Sequence, residues 1–168
     1  MLPTDIVPLR DWSELKEKVQ DRFGLDVSVF DGSGKRITDE REWVNRMCPA
    51  IKATEKGRTH ICAVAHNNIV AVARKSGRAI VDECDAGFVK VVVPIFVDRM
   101  FVGVVAGCGK VPAGEEIDEN LIARIAGISE GDIAELATDL PTISEEDMQG
   151  VVKLISEELE GFLKRTDS

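Results

Sequence analysis

The residues of this chain whose type and placement could do chemistry are its four cysteines, Cys48, Cys62, Cys84 and Cys108. They lie far apart in the sequence, and each is near the edge of a predicted helix or strand. If the fold brings them together, four thiolates surround one point, a number that suits tetrahedral zinc or an iron–sulfur cluster. Their spacing matches no zinc-ribbon or zinc-finger signature. The pattern indicates a shared site but leaves the metal open.

The neighbours of two cysteines favour metal or cluster binding. Cys48 precedes Pro49, so we expect it near the start of a helix, where the dipole and free N–H groups lower the pKa of a thiol. Cys108 lies between Gly107 and Gly109, and glycines let backbone amides approach a cluster and donate to its sulfurs. We therefore expect Gly107 and Gly109 to contribute to a cofactor site. We prefer an iron–sulfur cluster to zinc. A cluster indicates a redox, oxygen or iron sensor, whereas zinc indicates a structural site.

Other interpretations of the cysteines remain open. Free cysteine is among the most buried residue types, and Cys62 lies on an apolar helical stripe, so four unrelated buried thiols are one alternative. A pair that forms a reversible disulfide is another. His66 follows Cys62 by one helical turn and is a candidate ligand if it faces the same point, although a solvated histidine is the simpler interpretation.

Composition narrows the function classes. The 168 residues suffice for one domain with a hydrophobic core, and the net charge is −9 with no basic stretch on one predicted face. Direct nucleic-acid binding is therefore not expected. Since no apolar run could span a bilayer and no secretory signal is visible, we expect a cytoplasmic protein, where reduced thiols favour ligation over structural disulfides. The sequence carries none of the common catalytic motifs, so we expect no enzyme.

Apolar periodicity assigns the elements that must position the cysteines. Helices are predicted over residues 11–23, 43–54, 58–74, 119–127, 132–137 and 144–165. Strands are predicted over residues 25–30, 35–38, 79–83, 89–97 and 100–106. Together they predict a single α+β domain over residues 1–168, with a central antiparallel sheet of about five strands flanked by N- and C-terminal helices, an outline shared by PAS and GAF sensor folds.

The predicted helix over residues 144–165 has an apolar stripe whose steps alternate between four and three. The stripe consists of Met148, Val152, Ile155, Leu159 and Phe162. It covers only about two heptads, fewer than a coiled coil usually needs. Two interpretations follow: a dimerising or signalling helix, giving a homodimer through residues 144–165, or a helix that packs against its own core.

The order of several segments resembles that of PocR-type sensory domains. They are residues 25–31 (LDVSVFD), 34–38 (GKRIT), 43–51 (WVNRMCPAI), Cys62, 83–87 (ECDAG), 93–95 (VPI) and 103–107 (GVVAG). The resemblance covers about residues 11–109. It implies a PAS-like ligand-binding sensor attached to a histidine kinase or a transcription regulator, with small organic molecules such as propanediol-like alcohols as ligands.

The resemblance also suggests site residues. Three cysteines of the family pattern match Cys48, Cys62 and Cys84, and Trp43 and Asn45 resemble pocket-lining positions, although Trp43 in the core is the alternative. Where the family strand commonly ends in a Gly-Gly-Gln type sequence, this chain has Cys108 between glycines, which favours a metal or cluster. No kinase or DNA-binding segment follows in this sequence, which suggests a free-standing sensor or a fragment. The leading hypothesis is a cluster- or metal-binding sensor, and the alternative is a metal-free module that binds a small organic ligand and controls a kinase or transcription regulator.

Overall fold

The computed structural model describes residues 1–39 and 41–168. The helices are α1 (Pro3–Ile6), α2 (Leu9–Phe23), α3 (Met47–Ala53), α4 (Glu55–Gly57), α5 (Val64–Ser76), α6 (Glu119–Ala126), α7 (Glu130–Leu136) and α8 (Glu145–Thr166). The strands are β1 (Asp26–Asp31), β2 (Ile80–Glu83), β3 (Val89–Val97), β4 (Met100–Cys108), β5 (Val111–Pro112) and β6 (Thr142–Ile143). A π-helical segment, Arg58–Ala63, joins α4 to α5.

The main sheet is antiparallel, with strand order β1-β4-β3-β2, while β5 and β6 form a separate parallel pair. The central strands β3 and β4 are joined by Asp98 and Arg99, both with positive φ, as a tight hairpin turn requires. The predicted α+β class, with helices flanking an antiparallel sheet, is confirmed. The sheet has four strands, however, and not about five.

The missing strand is the one predicted over residues 35–38, which makes a single bridge, Arg36 to Phe30. Just before it, the Asp31 carboxylate accepts hydrogen bonds from the backbone N–H groups of Ser33 and Lys35 and holds a turn. Beyond the bridge, the Val29 N–H donates to the Thr38 hydroxyl and not to a backbone carbonyl. The ladder therefore ends after one bridge, because a side chain has replaced the next backbone partner.

One face of the sheet packs against α2 and α8. Trp12 is fully buried there, its ring meets that of Phe162 edge to face at 5.0 Å, and its indole N–H donates to the Pro3 carbonyl at 2.9 Å. Ile155 and Leu159 are buried in the same core. The apolar stripe of α8 thus packs against the protein's own sheet. None of the helices within residues 1–39 and 41–168 is long and apolar enough to cross a membrane.

The other face of the sheet carries two smaller cores. One lies under α5 and includes Val92, Val104 and Ala106. The second joins α3, the π-helical segment, α6 and α7 to the start of β3, and Cys48, Cys62 and Cys84 pack at its edge. Its buried members include Met47, Ile51, Ile61, Phe88 and Ile122. The cysteines therefore lie where helices and sheet meet, outside the main core.

Candidate functional site

A cavity of about 310 Å³ lies on the helical side of the sheet, and all four cysteines line it. Cys48 comes from α3, Cys62 from the π-helical segment, Cys84 from the turn between β2 and β3, and Cys108 from the end of β4. Each is a partly buried free thiol. The structure thus brings together four side chains that are separated by as many as 60 positions in the sequence.

Strand alternation orients Cys108 into the cavity. It is the last residue of β4, and its Cα is paired with that of Asp26 on β1 and that of Lys90 on β3. Successive side chains point to opposite faces of a sheet. The preceding residue, Gly107, accordingly faces the main core, where an added Cβ would touch Leu25. Gly107 therefore allows close packing behind the site and is not among the residues that line the cavity.

Asn45 fixes the start of α3 against the end of β4. Its side-chain oxygen accepts the backbone N–H of Cys48 at 2.7 Å, and its amide nitrogen donates to the Gly109 carbonyl at 2.7 Å and contacts the Cys48 sulfur at 3.2 Å. Gly109 has a φ of +114°, and an added Cβ would overlap Val44. Asn45 and Gly109 thus position Cys48 next to the strand that carries Cys108.

The other two cysteines lie where the backbone departs from regular structure. Cys62 belongs to the π-helical segment, and short π-turns often occur at functional sites because they displace a side chain from the regular helical track. Cys84 begins a tight turn in which the Gly87 N–H donates to the Cys84 carbonyl at 2.8 Å. The Cys84 N–H in turn donates to the Phe88 carbonyl at 3.0 Å. The π-helical turn at Cys62 is not visible in the hydrophobic pattern of the sequence, whereas the predicted strands over residues 79–83 and 89–97 already left Cys84 in the connection between them.

Burial controls the ionisation of the thiols. It raises the pKa of Cys48 to about 12, despite the hydrogen bond from Asn45. Burial also raises the pKa of Cys84, against backbone hydrogen bonds from Phe88 and Ala86. It raises the pKa of Cys62 too, against the positive charges of Lys52 and Arg41. The lowered pKa predicted for Cys48 at a helix start is therefore wrong, because desolvation outweighs the short helix α3.

Basic side chains surround the thiols. We call them the basic ring: Arg36, Arg41, Lys52, Arg58 and Lys90. Among the described residues that line the cavity, none is acidic, although the chain as a whole has a net charge of −9. The sequence did not suggest this grouping, because the five residues are spread over positions 36 to 90. The one visible signal was Lys90, the single charged residue within the otherwise apolar strand β3.

Arg41 links the basic ring to the thiols and to Trp43. Its Nε donates to the buried Asp26 carboxylate at 3.1 Å, and its Nη2 lies 3.9 Å from the Cys108 sulfur. The guanidinium stacks over the Trp43 ring at 4.5 Å, a cation–π contact. Trp43 lines the cavity and is 41% exposed, so its environment is that of a cavity wall and not of the core.

His66 lines the same cavity from α5 and packs its ring against Phe30 at 4.6 Å. Burial, together with the charges of Lys90 and Lys52, lowers the pKa of His66 to about 4. The imidazole is therefore neutral at pH 7, and a neutral imidazole is the form that can bind a metal. His60, the other histidine, is exposed.

The four thiols do not form a ready-made site for a single metal ion. Within residues 1–39 and 41–168, no three Cys, His, Asp or Glu side chains are close enough to hold one metal ion. A zinc ion holds each sulfur at only about 2.3 Å, so its four thiolates must nearly touch one another. A larger group, whose several metal atoms are each bound by one thiolate, tolerates greater separation.

A family model described as a sensory domain found in PocR matches residues 5–163. The chain belongs to this family. The match is longer than the resemblance over residues 11–109, because it includes α8. No curated protein and no solved structure matches the chain. The predicted membership of the PocR family is confirmed, and with it a sensory role.

Proposed function

We propose that this PocR sensory domain binds an iron–sulfur cluster through Cys48, Cys62, Cys84 and Cys108. The observation that carries the proposal is that thiols from four separate elements line one cavity. When bound, a cluster supplies redox chemistry whose potential depends on hydrogen bonds to its sulfurs and on exposure to solvent. The protein's part is to provide the thiolates, surround them with charge and limit access of water.

The basic ring supports this choice of ligand. Iron binds thiolates, so the cysteines must lose their protons, and burial raises the pKa of Cys48, Cys62 and Cys84. Lys52 and Arg41 lower the pKa of Cys62, and Arg41 also lies beside Cys108. A cluster with four thiolates is anionic, and the basic ring offers the positive charge that such a buried anion requires.

The proposed output passes through the elements that hold the cysteines. Cys48 belongs to α3, Cys62 belongs to the π-helical segment that leads into α5, and Cys108 ends a central strand. A group bound by all of them holds these elements at fixed positions. When the group is lost or oxidised, the elements become free to move. We propose that a downstream histidine kinase or transcription regulator responds to this change.

Serine substitution tests the proposal. Each cysteine is replaced by serine in turn, the proteins are purified without oxygen, and iron and sulfide are measured per chain. Ala53→Ser is the matched control, because it adds a serine at an exposed position of α3, the helix that carries Cys48, and does not line the cavity. We expect each cysteine variant to lose most of its iron and the control to keep it. Equal iron in all five variants would overturn the proposal.

The cavity also favours a second candidate, a metal-free module for a small organic ligand. Aromatic side chains from Phe30, Trp43 and Phe88 form part of the wall. A volume of about 310 Å³ is in the range of small-molecule pockets. This candidate predicts colourless protein whose melting temperature rises with the concentration of a ligand such as 1,2-propanediol. Iron-free protein stabilised in this way would favour it, and failure of a broad panel of alcohols would count against it.

A further inference from the structure

The cavity has more positive than negative charge on its wall. The five cations of the basic ring line it, and no carboxylate does among the described residues. One carboxylate, that of Asp26, pairs with Arg41. Burial and the charge of Arg41 both lower the pKa of Arg36, and they do the same at Lys52. The cations of the basic ring thus repel one another across a cavity that offers them little negative charge.

Two arginines of the basic ring also have hydrogen-bonding capacity that their neighbours do not use. Arg36 Nε and Arg41 Nη1 are buried and have no hydrogen-bond partner in the part of the chain that the structure describes. Within residues 1–39 and 41–168, the hydrogen-bond partner of Arg41 Nη2 is the Cys108 sulfur at 3.9 Å, and sulfur is a weak acceptor. Buried donors are nearly always satisfied in folded proteins, so unsatisfied ones need an explanation.

We propose that the cavity binds a small organic carboxylate, held by Arg36 and Arg41 with support from the rest of the basic ring. The inference goes beyond the proposed cluster, because it uses the basic side chains and needs none of the thiols. Guanidinium groups bind carboxylates through paired, charge-assisted hydrogen bonds. Phosphate shares this chemistry, but the aromatic wall favours a ligand that has an apolar part beside its charged group.

The aromatic neighbours orient the two arginines for this role. Arg41 stacks over Trp43 at 4.5 Å, and Arg36 stacks over Phe30 at 5.5 Å. Stacking restricts the long arginine side chains and leaves the edge of each guanidinium free to donate. Both aromatic rings line the cavity, so a carboxylate bound to the guanidinium groups would place its apolar part against them.

Calorimetric titration of reduced, chelator-treated protein tests the inference. The probes are acetate, butyrate and benzoate, each compared with its neutral amide, and inorganic phosphate. We expect at least one carboxylate to bind saturably, and the affinity of that carboxylate should fall as the salt concentration rises. Its neutral amide should bind more weakly by about tenfold or more. Equal binding of carboxylates and amides, no binding by any carboxylate, or phosphate as the tightest ligand would each overturn the inference.

Matched variants locate the site. Arg36→Gln should weaken carboxylate binding about tenfold or more, because it removes a charge-assisted hydrogen bond. Arg74→Gln is the control, since Arg74 stacks over Phe101 at 4.8 Å but does not line the cavity. If Arg36→Gln does not fold, Lys52→Gln replaces it, with weaker binding again expected. Unchanged affinity in the folded variant would contradict the inference.

A cysteine variant separates this inference from the proposed cluster. In Cys84→Ser the cluster should be lost, whereas the basic ring is intact. We expect this variant to be iron-free and to bind the carboxylate as the metal-free wild type does. Loss of carboxylate binding in it would show that the anion depends on the thiols and would overturn the inference, whatever the iron content of the wild type.

Discussion

At the level of single residues, burial and positive charge act in opposite directions on the thiols. Burial raises the pKa of Cys62, while Lys52 and Arg41 lower it. For Cys48 the balance favours the neutral thiol strongly, with a pKa of about 12. Binding of iron by these residues must therefore release protons, and cluster assembly should become less favourable as the pH falls.

His66 provides a residue-level test through the pH dependence of stability. Its pKa of about 4 in the folded protein lies below the ordinary value of 6.5. Between these pH values the unfolded chain binds a proton that the folded chain does not, so the free energy of unfolding should fall as the pH falls from 6.5 to 4. Over this pH range the free energy of unfolding of His66→Gln should fall by on the order of 2 kcal/mol less than that of the wild type.

The comparison is made by urea unfolding of metal-free protein at several pH values. Carboxylates contribute equally to the wild type and the variant, so the difference between the two curves isolates His66. Asn68→Gln, at an exposed position of α5, is the control and should leave the pH dependence of the wild type unchanged. Parallel curves for the wild type and His66→Gln would show that His66 is not protected from protonation in the folded protein.

At the level of elements, the site depends on the junction between the end of β4 and the chain before α3. Gly109 has a φ of +114°, and an added Cβ would overlap Val44. Gly109→Ala should therefore cost about 3 kcal/mol of unfolding free energy, from backbone strain and steric overlap together. Gly34 also has positive φ, at +88°, but lies in open space. Gly34→Ala should cost only about 1 kcal/mol, measured by urea unfolding.

The difference between the two alanine variants isolates the contact with Val44. Gly109→Ala should also retain less iron than Gly34→Ala. The reason is that the Gly109 carbonyl accepts a hydrogen bond from Asn45, whose side chain also binds the backbone N–H of Cys48. Equal destabilisation by both substitutions would mean that the junction is loose and does not fix the distance between α3 and β4.

The elements also show what could be predicted from the sequence. Strand β3 has the predicted bounds, residues 89–97. A long apolar run with turn residues at both ends fits few secondary structures other than a buried strand. The π-helical turn at Cys62 was not predicted, because it changes neither composition nor apolar spacing. Residues 35–38 alternate as a strand does, but the hydroxyl of Thr38 ends the ladder. Side-chain hydrogen bonds of this kind are not visible in a hydrophobic pattern.

The candidate site was only partly predictable for a related reason. The convergence of the cysteines could be proposed from their number and from their positions at the edges of elements. The basic ring could not, because Arg36, Arg41 and Lys52 lie in segments of ordinary composition and meet only through the path of the chain around the sheet. A lysine inside an apolar strand, Lys90, was the one local sign.

At the level of the whole molecule, the sheet separates the site from the helices near the chain ends. Cys108 faces the cavity, while Val105 on the same strand belongs to the core under α2 and α8. A change at the thiols could reach these helices by moving β4. The apolar stripe of α8 is used in that core, so a dimer through residues 144–165 would have to use other faces of the helix.

Phe162 tests whether α8 is an integral part of the fold. It is 5% exposed and packs against the buried Trp12. Phe162→Ala should cost about 3–5 kcal/mol of unfolding free energy, because it leaves a cavity in the main core. Leu9→Ala, at an exposed position of α2, should cost about 0.5 kcal/mol or less. A loss below about 1 kcal/mol in Phe162→Ala would instead favour a detached signalling helix.

The central claim is that the four thiols hold an iron–sulfur cluster. Its most direct test is the analysis of iron, acid-labile sulfide and zinc in wild-type protein purified without oxygen, together with its visible absorption spectrum. The account predicts coloured protein with iron and sulfide in equal amounts, bleached by oxygen or a chelator. Colourless protein that contains neither iron nor sulfide, even after anaerobic reconstitution with both, would contradict it.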